Sequence, residues 1–205
     1  MKRALTIADI EHYKPKTLEF YGDWLDAIGK PELTGVWLIW GDSGEGKTSF
    51  AMQLAKYLSE FVKVCYNSLE EGLSSSMKRT IENVNFGKQN NKFLLLDKEK
   101  IPDLIARLQR HKSPKAVIID SLQYTGMTYG KVIALKEQFP HKLFIYTSHA
   151  DSVEPKGNTA KSVKFEANVK IYVKDYVASI ISRYGGGKPF TIWASGAERR
   201  NIGNI

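Results

Sequence analysis

The stretch IWGDSGEGKTSF, residues 39–50, decides the fold because it contains a complete phosphate-binding pattern. Residues 41–48 match G-x-x-x-x-G-K-[ST], in which glycines let the backbone curl around an anion. The apolar run Val36–Trp40 before it predicts a buried strand, and the apolar spacing of KTSFAMQLAKYLSE after it predicts a helix. A strand, a glycine loop and a helix in that order are the setting in which this pattern holds nucleotide phosphates.

Each part of this loop has a predicted role. Backbone N–H groups and the N-terminus of the following helix attract the phosphate chain. Lys47 is expected to reach the β and γ phosphates, and the Thr48 hydroxyl is expected to bind Mg²⁺. The predicted nucleotide-binding residues are Gly41, Asp42, Ser43, Gly44, Glu45, Gly46, Lys47, Thr48 and Ser49.

Acidic residues follow two further predicted strands. Asp120 ends the apolar segment AVIID and is the predicted second Mg²⁺ residue, acting mainly through water. Glu70 and Glu71 follow the strand VKVCYNS, at the edge where the carboxyl ends of parallel strands meet. We select Glu70 as the catalytic base that activates water. Glu71 stays open as the alternative, and either carboxylate could instead cap the following helix.

The order of elements predicts an α/β protein. Strands alternate with helices up to about residue 150, which favours a mostly parallel sheet flanked by helices. Residues 149–162 are expected to form a loop, and β-branched segments after residue 162 are expected to add antiparallel strands at the C-terminal end. We expect an N-terminal arm with one helix over 1–33, a core over 34–205, and a flexible polar ending, AERRNIGNI.

Composition narrows the class of protein and its partners. The chain has 205 residues and one cysteine, which excludes an internal disulfide and a cysteine-rich metal site. No apolar run approaches the roughly 18 residues that cross a bilayer, and no signal-peptide pattern is present, so we expect a cytoplasmic protein without membrane contact. Lys and Arg number 30 against 22 Asp and Glu, and the net charge of +8 favours an anionic partner.

Taken together, these segments resemble RecA-fold ATPases of the branch that contains DnaB-type helicases, RadA/Sms and KaiC, and among them a minimal phage-type or mobile-element-type ATPase. GDSGEGKTS is similar to the P-loop of that branch, YNSLEE to the strand with the catalytic glutamate, and IIDSLQY to the Walker B segment. YTSHAD is similar to the next strand, and SRYGGGKP to the K-N-R-x-G hairpin. The resemblance covers about residues 34–193 and implies ATP and Mg²⁺ as ligands and ATP hydrolysis as the activity.

The resemblance also implies a nucleic-acid partner. In this branch the loop after the S-H strand faces nucleic acid, which here is the range 150–164. Its cations would contact backbone phosphates rather than bases. The resemblance favours DNA, whereas the residues themselves leave RNA open. It further implies that His149 senses the γ-phosphate and that Gln123 has a similar coupling role. The predicted nucleic-acid-binding residues are Lys156, Lys161 and Lys164.

A homo-oligomer, either a hexamer or a filament, is implied by the hairpin. In this branch the hairpin sends a basic side chain into the neighbouring subunit's ATP site, and Arg183 occupies that position. A guanidinium there stabilises charge that develops on the transferred phosphoryl group, so Arg183 is a predicted catalytic residue. The usual Lys-Asn before the arginine is Ile181-Ser182 here, and Lys188 is the candidate substitute for the missing cation.

The predicted function is a Mg²⁺-dependent ATPase of nucleic-acid metabolism, acting in recombination, in replication or as a helicase-type accessory motor. Two alternatives remain open: a small-molecule kinase and a KaiC-like regulatory ATP-binding scaffold. Such kinases generally carry an arginine-rich lid, whereas the candidate segment here, HADSVEPKGNTAKS, contains lysines and no arginine. Glu70 and Glu71 favour hydrolysis over a scaffold that does not turn over.

Overall fold

The computed structural model describes residues 3–87 and 90–202, and within them a nine-stranded sheet forms the centre of the fold. The strands are Gly35–Gly41 (β1), Val64–Ser68 (β2), Phe93–Asp97 (β3), Ala116–Asp120 (β4), Leu143–Asp151 (β5), Glu154–Pro155 (β6), Val169–Lys174 (β7), Val177–Ser182 (β8) and Phe190–Thr191 (β9). Their order across the sheet is β3-β2-β4-β5-β1-β7-β8-β9, and β6 pairs with β5.

Eight α-helices accompany these strands in the described ranges. They are Ile7–Glu11 (α1), Gly22–Ile28 (α2), Lys47–Phe61 (α3), Ser75–Val84 (α4), Ile101–Leu108 (α5), Tyr129–Gln138 (α6), Asn158–Glu166 (α7) and Ala194–Ile202 (α8). A 3₁₀ turn, Leu122–Tyr124, follows β4. Among these helices none combines the length and the apolar character that crossing a membrane requires.

The sheet is parallel in its centre and antiparallel at one side. Strands β3, β2, β4, β5, β1 and β7 run parallel, whereas β8 and β9 are antiparallel additions after β7. Alternate side chains of β1 enter two buried clusters. Trp37 and Ile39 pack with residues of α2, α3 and α4, while Val36, Leu38 and Trp40 pack with residues of α5, α6 and α7. This arrangement confirms the predicted α/β class with helices on both faces of a mostly parallel sheet.

The expected loop over 149–162 is wrong. The chain there continues β5, turns through β6 and enters α7. Ala160, Val163 and Ala167 are buried against the face of β1 that carries Val36 and Leu38, so burial of an apolar stripe at helical spacing outweighs the local glycine and lysine content. The strand expected to begin at residue 163 therefore begins only at β7, after this helix.

Both ends of the chain also differ from the expectations. The arm over 1–33 contains two helices, α1 and α2, where one was predicted. Phe20 and Ile28 belong to the same buried cluster as Trp37, while the division at residue 33 stays a prediction. The ending AERRNIGNI was expected to be flexible, but α8 runs to residue 202 and buries Ala197. Residues 203–205 of that ending lie outside the described residues.

Candidate nucleotide and catalytic site

The predicted phosphate loop joins β1 to α3 and adopts a conformation that needs its glycines. Gly44 and Gly46 have positive φ angles of 80° and 102°, which side-chain-bearing residues rarely adopt. A Cβ at Gly41 would lie 2.1 Å from the carbonyl oxygen of Val173 on β7, so this position also excludes a side chain. The loop therefore curls tightly above the carboxyl end of β1, and its N–H groups precede the first turn of α3.

A cavity of about 550 Å³ lies over this loop. It is lined by Ser43, Gly44, Gly46, Lys47, Thr48, Ser49, Glu70, Glu71, Asp120, His149 and Tyr176. The Lys47 ammonium donates a hydrogen bond of 2.6 Å to the Asp42 carbonyl oxygen. Burial lowers the pKa of Lys47, and the negative charges of Asp120 and Glu70 act in the opposite direction. The sequence-predicted phosphate, metal and base residues thus meet in one space.

Asp120 is held by two hydroxyl groups at the floor of this cavity. The Tyr66 hydroxyl donates to its Oδ2 at 2.5 Å, and the Thr147 hydroxyl donates to its Oδ1. Burial raises the pKa of Asp120, and these two hydrogen bonds act to lower it. Tyr66 and Thr147 were not predicted as site residues, although each stands on a strand beside β4, where a position next to the acidic strand end is the available signal.

The donor atoms in this cavity fit Mg²⁺. The Thr48 hydroxyl and the Asp120 carboxylate are oxygen donors that line the same space. Mg²⁺ prefers oxygen ligands and keeps several waters, so a carboxylate already engaged by two hydroxyl groups suits contact through water. Zinc prefers nitrogen and sulfur donors, and neither Thr48 nor Asp120 offers one.

Glu70 and Glu71 occupy different environments although they are adjacent in sequence. Glu71 accepts hydrogen bonds from Ser74, at 2.6 Å, and from Ser76, and Ser74 is the N-cap of α4. Glu70 instead lies 3.4 Å from His149, measured between Oε2 and Nε2. Glu71 is therefore engaged at a helix start, whereas Glu70 retains a carboxylate directed at a cavity residue. The geometry favours Glu70 over Glu71 as the base.

The side chain of Gln123 links Glu70 and His149 to the β5–β6 hairpin. Its Nε2 donates to the Ser148 hydroxyl at 2.8 Å and to the Lys156 carbonyl oxygen at 3.0 Å, and its Oε1 accepts from the His149 N–H at 3.4 Å. The Lys156 N–H donates to the His149 carbonyl oxygen at 2.9 Å. Glu70, His149, Gln123 and the hairpin consequently form one continuous set of contacts.

The three predicted nucleic-acid lysines are not equivalent. Lys156, directly after β6, and Lys161, on α7, have exposed side chains. Lys164 pairs with Glu154 at 2.8 Å, and its Nζ lies 4.9 Å from the centre of the Trp40 ring. The charge of Lys164 is therefore largely compensated within the chain.

Arg183 is not close to the phosphate cavity of its own chain. It follows β8, and the last residue of β8, Ser182, pairs with Val169, which in turn pairs with Trp37 near the start of β1. The phosphate loop follows the other end of β1. Lys188, the candidate substitute cation, pairs with Asp26 at 2.8 Å. A catalytic role for Arg183 therefore requires the cavity of another subunit.

The turn between β7 and β8 contacts the phosphate loop. The Asp175 N–H donates to the Glu45 carboxylate, and the Tyr176 N–H donates to the Glu45 carbonyl oxygen at 3.2 Å. Arg200 of α8 lies 3.6 Å from Glu45, which brings the C-terminal helix to the same place. No local pattern in the sequence indicates this contact, because it joins residues about 130 positions apart.

A second and larger cavity, of about 1120 Å³, adjoins the phosphate cavity. The two share Ser49 and Tyr176, and the larger one is lined by aromatic rings that include Trp24, Tyr57 and Trp193. Most of the predicted phosphate-binding and acid–base residues line the smaller cavity, and none of them lines the larger one apart from Ser49, which lines both. Aromatic walls next to a phosphate site suit the base and sugar of a nucleotide.

Comparisons with known proteins bear on the fold. No protein-family model and no curated protein matches the sequence. The structure is similar to the crystal structure of the flagellar accessory protein FlaH from Methanocaldococcus jannaschii, with a TM-score of 0.63 over 86% of this chain and 94% of that chain. The fold is RecA-like. At 15% identity this similarity shows the fold alone. Nucleotide binding, membership of the DnaB, RadA and KaiC branch and a phage or mobile-element origin stay predictions.

Proposed function

We propose that this chain is a Mg²⁺-dependent ATPase of nucleic-acid metabolism, serving recombination, replication or a helicase-type reaction. The observation that carries the proposal is the position of Glu70, whose carboxylate lines the same cavity as Lys47 and Thr48 and contacts His149. A RecA-like fold with this set of side chains supports hydrolysis of a nucleoside triphosphate. ATP is favoured over GTP because the sequence contains no guanine-reading N-K-x-D pattern.

In this proposal the chain supplies positioning and one proton acceptor. The loop N–H groups and Lys47 bind the β and γ phosphates. Thr48 and Asp120 would hold Mg²⁺, whose chemistry is to neutralise charge on the triphosphate. Glu70 orients the attacking water and accepts its proton. His149 contacts Glu70 with its side chain and Gln123 with its backbone N–H. A change at the γ-phosphate is therefore transmitted to the β5–β6 hairpin.

We further propose that ATP lies at the contact between subunits of a homo-oligomer. Arg183 is distant from the cavity of its own chain, and an arginine supplied by a neighbour stabilises the transition state of phosphoryl transfer. Nucleic acid is the proposed regulator of turnover, supported by the net charge of +8 and by the continuous contacts from Glu70 to Lys156.

The first test is phosphate release from ATP and Mg²⁺, measured alone and with single-stranded DNA, double-stranded DNA and RNA. The expected result is hydrolysis that one polymer stimulates and that Lys47→Ala abolishes. Nucleotide binding is measured in parallel with a fluorescent ATP analogue. If ATP binds but is not hydrolysed with any polymer, the ATPase proposal is wrong and a regulatory scaffold replaces it. Phosphate transfer to an added small molecule would instead identify a kinase.

A mixing experiment tests the shared site. Arg183→Ala and Glu70→Gln are each expected to be inactive, but an interface that takes Glu70 from one variant and Arg183 from the other is complete. A 1:1 mixture of exchanging subunits should recover about a quarter of wild-type hydrolysis, because about a quarter of head-to-tail contacts are then complete. No recovery in a mixture that forms mixed oligomers would contradict the shared site.

A further inference from the structure

Within the described ranges, no helix packs over one face of the β7–β8 hairpin. On the other face, Ile171, Val173 and Ile180 are fully or almost fully buried in the cluster that includes α2 and α3. Helix α7 packs on β1 beside the hairpin, whereas Ile181 of β8 is 71% exposed. The short strand β9 pairs with Val177 and Ala178 at the start of β8. The rest of the outer edge of β8 has no strand neighbour among the described residues.

This uncovered face is basic. The pairing register puts Lys170 opposite Ile181, Tyr172 opposite Ser179 and Lys174 opposite Val177, and opposed residues in an antiparallel pair share a face. Neither Lys170 nor Lys174 takes part in any ion pair among the described residues. The nearby helix α7 adds no net negative charge, because its Glu166 pairs with Lys136 and its Lys164 pairs with Glu154.

An aromatic ring lies between the two lysines. Tyr172 is half-buried, and its ring centre lies 5.7 Å from that of Trp40 at an interplanar angle of 35°. Lys170 and Lys174 are four residues apart on one strand, which separates them by about 13 Å. Cations on both sides of an aromatic ring are the arrangement that holds single-stranded nucleic acid, with phosphates at the cations and a base on the ring.

We propose that this face, made of Lys170, Tyr172, Lys174 and Ser179, binds single-stranded nucleic acid. The inference rests on the proposed nucleic-acid partner but assigns it to a surface separate from the range 150–164, where the charge of Lys164 is already compensated. The face is also connected to the nucleotide site. Lys174 ends β7, and the next two residues, Asp175 and Tyr176, donate their N–H groups to Glu45 of the phosphate loop. Nucleic acid bound beside this turn and ATP bound in the loop therefore affect each other's affinity.

The test is fluorescence anisotropy of an end-labelled 20-nucleotide oligo-dT, titrated with the full chain at several salt concentrations. The double variant Lys170→Gln/Lys174→Gln, the face pair, is expected to bind oligo-dT about 10-fold to 30-fold more weakly than the wild type. The slope of log affinity against log salt should fall in magnitude by about 1.4, since each lost phosphate contact contributes about 0.7 for single strands. The charge-matched control Lys14→Gln/Lys16→Gln, on exposed residues of the N-terminal arm, is expected to stay within about twofold of wild type. A result in which Lys156→Gln/Lys161→Gln loses affinity and the face pair does not would overturn the inference.

A second variant distinguishes stacking from charge alone. Tyr172→Leu keeps an apolar side chain against Trp40 but removes the ring that receives a base. This substitution is expected to weaken oligo-dT binding about 10-fold and to leave the salt slope unchanged. If charge attraction alone held the oligonucleotide, removing the ring would not weaken binding. Wild-type affinity in Tyr172→Leu would contradict the stacking part. Tighter binding of anionic vesicles than of oligo-dT by the wild type would overturn the choice of nucleic acid.

The remaining outcomes separate this inference from the proposed function. If polynucleotides stimulate ATP hydrolysis equally in the wild type and in the face pair, the inference is wrong and the proposed function stands. If the wild type hydrolyses ATP but neither binds nor responds to any polynucleotide, the inference and the nucleic-acid part of the proposed function are both wrong. Sedimentation gives the mass of each variant. A face pair that loses self-association but keeps oligo-dT affinity would identify a contact between copies and overturn the inference.

Discussion

The two edges of the parallel sheet differ in how their polar groups are used. At the carboxyl edge, Lys47, Glu70 and Asp120 surround an open cavity of about 550 Å³. At the opposite edge, the last residue of β8 and the chain after it are joined to the end of α2 by direct hydrogen bonds. The Ser182 hydroxyl donates to the Ile28 carbonyl oxygen at 2.6 Å, and the Gly187 N–H donates to the Ala27 carbonyl oxygen at 3.0 Å.

The difference follows from the chain path. At the carboxyl edge each parallel strand leads into a loop before its helix, so side chains from several strands meet around a space that a ligand can enter. At the other edge two segments approach so closely that their backbones satisfy each other. We therefore expect substitutions at the carboxyl edge to change turnover. Substitutions in the contact between α2 and the chain after β8, apart from the proposed intersubunit arginine Arg183, are expected to change stability.

The largest expected effect separates the two adjacent glutamates. Glu70→Gln should lower the ATP turnover rate by about 1000-fold while ATP still binds, because the proton acceptor is lost and the shape is kept. Glu71→Gln should stay within about threefold of wild type, since Glu71 is bonded to Ser74 and Ser76 at the start of α4. Steady-state phosphate release measures both. Equal losses in the two variants would contradict the assignment of Glu70.

At the opposite edge, Gly29→Ala should reduce the free energy of unfolding by about 3 kcal/mol. Gly29 has a φ of +83°, and a Cβ there would lie 2.0 Å from the Tyr184 carbonyl oxygen. Urea unfolding measures the loss. The matched control is Gly130→Ala in α6, where a Cβ meets nothing within 4 Å and a gain of up to about 1 kcal/mol is expected. The affinity for ATP per folded molecule should be unchanged in both variants, and a change in Gly29→Ala would contradict the contrast between the edges.

Asp120→Asn tests whether the buried charge of Asp120 at the carboxyl edge lowers the stability of the folded protein. Burial raises the pKa of Asp120 above its ordinary value of 3.8, so the ionised form is disfavoured in the folded state. Removing the charge should increase the free energy of unfolding by about 1 kcal/mol at pH 7, although hydrolysis falls. The gain should shrink as the pH falls through the raised pKa toward 3.8, because the wild-type carboxyl then becomes protonated. Urea unfolding at several pH values measures this, and a gain that persists at low pH would contradict the charge as its cause.

The smallest expected effect concerns a charged residue near the carboxyl edge that we regard as structural. Lys164→Met keeps the apolar stem beside Trp40 but removes the pair with Glu154. The free energy of unfolding should fall by less than about 1 kcal/mol. Lys161→Met on the exposed side of the same helix should stay within about 0.5 kcal/mol of wild type. Thermal unfolding measures the loss of stability in both variants, and equal losses would contradict a structural role of Lys164.

Short-range patterns predicted most of the central fold. The phosphate loop, the helix after it and the four strands that follow it in sequence lie where apolar spacing and glycine placement indicated them, because each pattern spans only a few residues. Helix α7 was missed, since its buried stripe of Ala160 and Val163, continued by Ala167 directly after the helix, is short and lies among lysines and a glycine. Burial against β1, which no local pattern reveals, decides that segment.

The candidate site divides in the same way. The sequence by itself determined which residues are the candidates for binding phosphate and metal and for accepting a proton, because the loop, the Asp120 strand end and the paired glutamates are local patterns. Only the tertiary structure decided that Glu71 is engaged by serines, that Tyr66 and Thr147 orient Asp120, and that Arg183 lies away from its own cavity. These relations join residues distant in the chain, and hydrogen bonding and burial depend on distance in space rather than on position along the sequence.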